Sequence, residues 1–331
     1  MRNLTYLRIC SGVALLVTLS VFQLCSCSSD SDDRVVENEN PGPGANEDPA
    51  PEPEPIMEDV VQTLVANFGA NDGLSVAADG TIYASNFGSF TGTQVLAVNP
   101  ETGVVEVAVD NLQAPTGNRI DAEENIYVVH NVRRTAPESN VTIGDVIRVD
   151  SDGNRTTLAT LPGFPSGITL DDEGNLYVSN FAFPGVHRIS AEGETTIYVQ
   201  DNRLAGGVGI DFDENGNLFV GNFTTGDILE IAPDTSIEVL VTLPTDEPGV
   251  VIGYITYLNG SIYATAPGEH VIYEVSLSGE ASVLAGSGSE STRDGSLTEA
   301  SFDTPNGIVG DANRNVLYVT ESENLRVIDL N

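Results

Sequence analysis

Residues 175–180 read Asn-Leu-Tyr-Val-Ser-Asn, a short alternating run that follows the turn sequence Asp172-Glu173-Gly174 and ends on an asparagine. The pattern is a hydrophobic residue, then an aromatic one, then asparagine three positions later. It recurs at Ile82-Tyr83-Ala84-Ser85-Asn86 and at Leu218-Phe219-Val220-Gly221-Asn222. Weaker copies are Ile126-Tyr127-Val128-Val129-His130, Ile262-Tyr263-Ala264-Thr265-Ala266 and Leu317-Tyr318-Val319-Thr320-Glu321. The aromatics fall at 83, 127, 177, 219, 263 and 318, so the intervals are 44, 50, 42, 44 and 55 residues. Self-similarity at this period marks a propeller or an array, and function then resides in what differs between the copies.

Each copy carries strand alternation and hairpin chemistry. In the third, Gly167–Leu170 predicts a first strand, Leu176–Ser179 a second, Val186–Ile189 a third and Thr195–Val199 a fourth, with turns at Asp172–Asn175 and Ala191–Gly193. Other copies turn at Asp79-Gly80, Asp152-Gly153, Asn215-Gly216, Asn259-Gly260 and Ser278-Gly279. No helical periodicity appears in this part of the chain. A four-stranded antiparallel unit of about 45 residues, repeated radially, is a propeller blade. The sixth copy offers three strands: Gly307–Val309, Val316–Val319 and Leu325–Ile328. Upstream of the first copy lies one spare strand, Val60–Val65. The expected fold is therefore an all-β, six-bladed propeller over residues 59–331. Its N-terminal strand would complete the last blade and spare the ring two open edges.

Residues 1–26 read as a lipoprotein signal peptide. A positive start, Met1–Arg8, precedes an apolar run from Ile9 to Leu24 that is too short and interrupted for a membrane span. It ends in Leu24-Cys25-Ser26-Cys27, with leucine three residues and a small residue one residue before Cys27, the expected lipidation site. Residues 27–58 add a polar, acidic, proline-rich tether that includes Pro49-Ala50-Pro51-Glu52-Pro53-Glu54-Pro55. The acidic run after Cys27 resembles export signals of surface lipoproteins in Bacteroidetes-like bacteria. All 3 cysteines lie in the first 27 residues, so no disulfide framework is available to the folded part.

The chain has 49 acidic residues against 13 basic ones, and every base is arginine; the formal net charge is −36. That field argues against nucleic acid or an anionic bilayer surface as a partner. Membrane contact is expected only through the lipid, and the chain is expected to be a monomer in the bacterial envelope, periplasmic or at the cell surface.

Two families are resembled. Ala285-Gly286, Asp294-Gly295, Ala300-Ser301-Phe302 and Pro305-Asn306-Gly307-Ile308 are similar to the linker and blade start of NHL-repeat proteins, as Asn324-Leu325-Arg326-Val327 is to their third strand. Starts such as Phe164-Pro165-Ser166-Gly167-Ile168 resemble the gluconolactonase and senescence-marker-protein superfamily. That resemblance implies a divalent metal, Ca²⁺ or another, held by acidic and amide side chains just before the inner-strand glycines. Asp72 and Asn306 match this pattern, whereas Thr116, Ser166, Val208 and Ile252 depart from it. A hard cation wants six to eight oxygens, so Glu321 and Asn86 are the expected additional ligands.

In such propellers the pre-glycine positions and the second-strand ends reach one mouth. Besides Asp72, Asn86, Asn306 and Glu321, this gathers Thr116, Ser166, Asn180 and Asn222, with Val208, Ile252 and Ala266 opposite. Asn180 and Asn222 can equally cap loops through backbone groups. His130 is the candidate general base, with His270 in the matching loop of the fifth copy. Asn131–Gly144, carrying Arg133-Arg134, and Gly286–Asp303 read as irregular inserts. Two functions follow: a binding module for a protein or glycan, or a metal-dependent hydrolase or lyase acting on a lactone or sugar derivative. The anchor is tested separately. Cys27→Ala should move the protein from the membrane to the soluble fraction and abolish its labelling by fatty acid; unchanged membrane association would remove the anchor.

Overall fold

The repeated turn is a side-chain-locked device. In a computed structural model, Asp171 Oδ1 accepts from the backbone N–H of Glu173 and Asn175 at 3.0 and 2.8 Å. Its Oδ2 accepts from Asn175 Nδ2 at 2.7 Å and from the Tyr177 hydroxyl at 3.2 Å. Asp121 with Asn125 and Tyr127 repeats this arrangement in full, and Asp213–Asn217 and Asp150–Asn154 repeat the aspartate–asparagine part. The aromatic of the repeat thus packs in the blade and, in two copies, ties its hydroxyl to the hairpin that precedes it.

The structure describes residues 60–245 and 249–331. The signal peptide, Cys27 and the tether lie outside them. The described residues form six four-stranded antiparallel sheets. Blade one comprises Leu74–Val76, Ile82–Ser85, Val95–Val98 and Val105–Val109; blade two Asn118–Ile120, Ile126–Arg134, Thr142–Val149 and Arg155–Pro162. Blade three comprises Pro165–Leu170, Leu176–Asn180, Gly185–Ile189 and Thr195–Gln200; blade four Gly207–Phe212, Leu218–Asn222, Asp227–Ile231 and Ile237–Thr242. Blade five comprises Ile255–Leu258, Ser261–Ala266, Val271–Ser276 and Ala281–Ala285. Blade six has Ile308–Asp311, Val316–Thr320 and Asn324–Asp329, and its fourth strand is the N-terminal Val61–Ala66. That strand runs antiparallel to Asn324–Asp329, pairing Val61 with Ile328 and Ala66 with Asn324. The only helical pieces among the described residues are two 3₁₀ turns, Gly88–Phe90 and Asn202–Leu204.

Six hydrophobic clusters fill the six junctions between neighbouring blades. One joins Val129, Val146 and Leu161 of blade two to Ile168, Val178 and Ile189 of blade three. The last joins Leu74, Ile82 and Val98 of blade one to Val309, Tyr318 and Leu325 of blade six. Burying both faces of each sheet in this way explains why the second strands read as almost continuously apolar. Around the axis the first strands contact one another in sequence, blade six returning to blade one. They approach so closely that each carries or follows a glycine. A methyl on Gly73 would lie 2.8 Å from the Gly117 Cα, and one on Gly253 would lie 2.7 Å from the Asn306 carbonyl oxygen.

Hydroxyls of the repeat close these junctions. Ser179 Oγ donates to the Val208 carbonyl of the next blade at 2.6 Å, and Thr265 Oγ1 to that of Asn306 at 2.6 Å. Thr320 Oγ1 reaches the Asp72 carbonyl at 3.4 Å across the join between the last blade and the first. The small polar residue before the repeat's asparagine is therefore a blade-to-blade link.

One expected insert is regular. Strands Ile126–Arg134 and Thr142–Val149 run into the Asn131–Gly144 segment from both ends as an extended hairpin, with Arg133 opposite Ile143. Its arginine is not free: Arg133 forks onto both oxygens of Asp145 at 2.8 and 3.2 Å. The Gly286–Asp303 segment is mostly irregular and covers the outer edge of blade six, where Gly295 and Val61 exchange hydrogen bonds of 2.9 and 3.1 Å. Among the described residues no helix is long and apolar enough to cross a membrane. Because the axis has no room for a methyl, Gly307→Ala should lower unfolding stability by about 1–3 kcal/mol or more. A chemical denaturation midpoint unchanged from wild type would show that the inner ring can relax.

Candidate functional site

A cavity of about 550 Å³ opens where the first strands begin. Five of the six pre-glycine residues line it: Asp72, Thr116, Ser166, Val208 and Asn306. In blade five that place is taken by Tyr254, while Ile252 is wholly buried between blades four and five. The second-strand ends behave differently. Asn180, Asn222, Ala266 and Glu321 are buried at 0–1% exposure, and neither they, Asn86 nor His130 lines the cavity. In every blade but the second, the residue after it does so instead: Phe87, Phe181, Phe223, Pro267 and Ser322. A shift of one residue along a strand turns the side chain to the opposite face.

The buried asparagines hold loops. Asn180 Oδ1 accepts from the N–H groups of Phe164, Ala182 and Phe183, at 2.9, 3.1 and 2.8 Å, and its Nδ2 donates to the Pro162 carbonyl at 2.7 Å. Asn222 donates to the carbonyls of Arg203 and Ala205 and accepts from Thr224 and Thr225. These bonds fix the segments that present Phe164, Phe181 and Phe223.

The phenylalanines form a continuous edge-to-face arc. Ring centroids are 4.6 Å apart for Phe87–Phe90, 5.9 Å for Phe90–Phe164, 6.1 Å for Phe164–Phe181 and 6.0 Å for Phe181–Phe223. Phe90 is 63% exposed and is carried by two successive left-handed residues, Ser89 (φ 51) and Phe90 itself (φ 74). Non-glycine residues rarely adopt that conformation, and where they do it accompanies functional surfaces. The sequence signal for this arc was the dipeptide Asn-Phe, present at 86–87, 180–181 and 222–223. Its asparagine was the visible half.

At the polar side, Asp72 is 8% exposed. Its Oδ1 accepts from the Tyr254 hydroxyl and, at 3.0 Å, from the Gly73 N–H. No donor among the described residues reaches its Oδ2. Burial pushes the Asp72 carboxyl up from 3.8 to about 7, against the opposing pull of the Tyr254 and Gly73 bonds. Burial beside that carboxylate drives the Tyr254 phenol well above its ordinary range. Three further side chains at the mouth direct a donor inward. Thr116 Oγ1 donates to the Ser166 carbonyl at 3.1 Å, Ser166 Oγ to that of Phe164 at 3.2 Å, and Asn306 Nδ2 to that of Asn71 at 2.8 Å.

The structure does not assemble the expected metal set. Glu321 is enclosed in the core, both oxygens 3.2 Å from the equally buried Arg326. They also accept from Thr292, Asn324 and the Asp303 N–H. This cluster, with Arg326 bonded on to Asp294 at 2.9 Å, ties the 286–303 segment to blade six. Asn86 does not reach the cavity, so Asp72 and Asn306 are left as the pair facing it. Among the described residues no three of His, Cys, Asp and Glu cluster to hold an ion. Two such donors do not fit a hard cation's shell. His130 stands beside Asp145 in the blade-two hairpin, its Nδ1 buried without a partner, and burial lowers its basicity more than Asp145 restores it. His270 Nδ1 accepts from the Thr304 N–H at 3.3 Å.

Fold and site together define a six-bladed propeller with a ligand-sized, aromatic-walled cavity at one mouth. In fold the chain is similar to an auxiliary nutrient binding protein from Bacteroides thetaiotaomicron, at 17% identity and a TM-score of 0.62, over 79% of this chain and 69% of that one. It is similar also to a gluconolactonase from Xanthomonas campestris, at 16% identity and 0.61, over 82% and 89%. A third is the virginiamycin B lyase of Staphylococcus aureus, at 14% and 0.57, over 82% and 99%. The expected likeness to gluconolactonase-like propellers is thus present in the architecture. No family model matches the chain, and no curated protein matches it in sequence.

Asp72 generates a pH prediction. Its folded value lies above the unfolded one, so the native state holds a proton that the unfolded chain releases. The associated stability is complete below about pH 4 and is lost as pH rises through about 7. Relative to Asp72→Asn, the wild type should therefore lose melting temperature between pH 4 and 7. Parallel curves for the two proteins would show an unshifted carboxyl.

Proposed function

We propose that the protein is a binding module of the bacterial envelope, lipid-anchored at Cys27, that captures a small molecule with an apolar or aromatic body in the propeller mouth. One observation carries this reading: five phenylalanines form a connected wall around a 550 Å³ cavity, although Phe90 and Phe181 stand 63% and 39% exposed to water. Ligand sites have this composition, mostly apolar with a few placed polar groups. Exposed apolar surface on a chain this acidic and polar is otherwise disfavoured. A glycan would need a denser set of hydrogen-bonding side chains than Asp72, Thr116, Ser166 and Asn306 supply. The nutrient binding proteins of Bacteroides thetaiotaomicron and Bacteroides ovatus are propellers of similar fold, which agrees with a capture role. Hydrolysis of a lactone is less well supported, because the expected ligand Glu321 is enclosed with Arg326 and His130 lies off the cavity.

The chain has no tryptophan, so a neutral fluorescent probe such as N-phenyl-1-naphthylamine reports on the cavity without interference. Saturable binding of one probe per chain is expected, weakened at least about tenfold, or 1.4 kcal/mol, by Phe164→Ser with Phe181→Ser. Affinity unaffected by that pair would place the probe elsewhere and reject the mouth. A melting temperature raised by Ca²⁺ in wild type but not in Asp72→Ala with Asn306→Ala would favour the hydrolase instead.

A further inference from the structure

Resting on the mouth as a ligand site, the geometry points to selection by charge: we propose that the cavity takes an organic ammonium, its cationic head set at Asp72 and its apolar body against the phenylalanine arc. The argument is an inventory of donors and acceptors. The protons of the Tyr254, Thr116 and Ser166 hydroxyls and one of the two on the Asn306 amide are directed to protein acceptors. Thr304 Oγ1 likewise donates to Asp303 at 3.1 Å. What these groups turn to a ligand is lone pairs: the oxygens of Thr116 and Ser166, Asn306 Oδ1 and Asp72 Oδ2. Asn71 and Ser322 are the exceptions among the lining side chains. An anionic or carbonyl-rich ligand would find few donors there and would leave these acceptors desolvated without partners, at a cost of about 1–3 kcal/mol each. An ammonium carries donors and no acceptor, so it satisfies this set.

Charge points the same way. Among the described residues lining the cavity, Asp72 is the one carboxyl, negatively charged once pH exceeds its raised value of about 7, and no arginine or histidine is present. The surrounding chain, at −36, concentrates cations and repels anions at its surface. Asp72 is built into the site rather than lying loose at its rim. It is 8% exposed, one oxygen is held from two sides by Tyr254 and Gly73, and its neighbouring Gly73 sits in the closed inner ring.

The test uses three compounds of one shape displacing the fluorescent probe from the purified protein above the raised Asp72 value of about 7, at about pH 8, and at about 0.15 M salt, where long-range surface attraction is screened beyond about 8 Å. They are 4-phenylbutylammonium, 4-phenylbutanol and 5-phenylpentanoate. The ammonium should bind at least tenfold more tightly than the alcohol, and the carboxylate most weakly. Asp72→Asn keeps an acceptor for Tyr254 and nearly the same volume. It should bring the ammonium down to the alcohol's affinity while leaving the alcohol unchanged. Equal affinities in wild type, a preference that survives Asp72→Asn, or failure of all three to displace a mouth-bound probe would each overturn charge selection while leaving the mouth as a ligand site. The mouth itself falls only if the probe ignores the Phe164→Ser, Phe181→Ser pair.

Discussion

Everything in this molecule depends on how closely six inner strands converge on one axis. At Gly73, Gly117, Gly167, Gly209, Gly253 and Gly307 the backbone of one blade lies against the next, with no space for a Cβ. The constraint is steric, and the hydroxyl links from Ser179, Thr265 and Thr320 to the following blade make it directional. A ring closed on backbone contacts has little freedom to breathe. The residue before every one of these glycines except Gly253 is therefore delivered to the mouth at a fixed radius, which is the pre-organisation that a binding site needs. Asp72, Thr116, Ser166, Val208 and Asn306 face one another across the cavity because their neighbours cannot move apart.

The local parts of this design could be read directly. Asp-x-x-x-Asn turns, the 42–55-residue period and the spare strand at 60–65 are short-range signals, and the six blades, with Val61–Ala66 beside Asn324–Asp329, follow from them. Register at the strand ends was the harder question. An alternating strand commits each residue to one face, and nothing within Asn180-Phe181 says which of the two meets the cavity. Asparagine drew attention as a polar group, but its four loop bonds need it inside. Phenylalanine looked like core and is on show. Glu321 misled for a different reason. Its partner Arg326 is five residues away on the adjoining strand, and its other donors come from the 286–303 segment, so its enclosure is a tertiary fact. Likewise the partner of Arg133 is Asp145, twelve residues on in the paired strand, which only the hairpin brings within reach.

The same repeat thus performs three tasks with three residues of one four-residue stretch, such as Tyr177, Ser179 and Asn180. The aromatic packs the blade junctions, the small hydroxyl residue joins neighbouring blades, and the asparagine pins the loop that displays the next side chain. Blades depart from this scheme where the cavity changes character. Blade two substitutes His130 and turns Asn131 toward Asp145, at 2.6 Å, instead of adding a ring to the wall. Blades five and six end in Ala266 and Glu321 and present Pro267 and Ser322. The arc of rings therefore belongs to blades one, three and four, and the lone carboxyl stands at the start of blade one, bonded to Tyr254 at the start of blade five. This gives the mouth an orientation that a symmetric propeller would lack.

The pairing of Val61 with Ile328 has a kinetic meaning as well. The first strand of the domain to emerge has its partner almost at the far end of the chain, so loop closure must be completed over the whole domain before that contact returns any energy. Until then the N-terminal strand has no sheet to join and the inner ring stays open, its apolar seams unsealed. Such a chain reaches its stable state only after synthesis is nearly finished. The contact that seals the ring is therefore among the last that the chain can make.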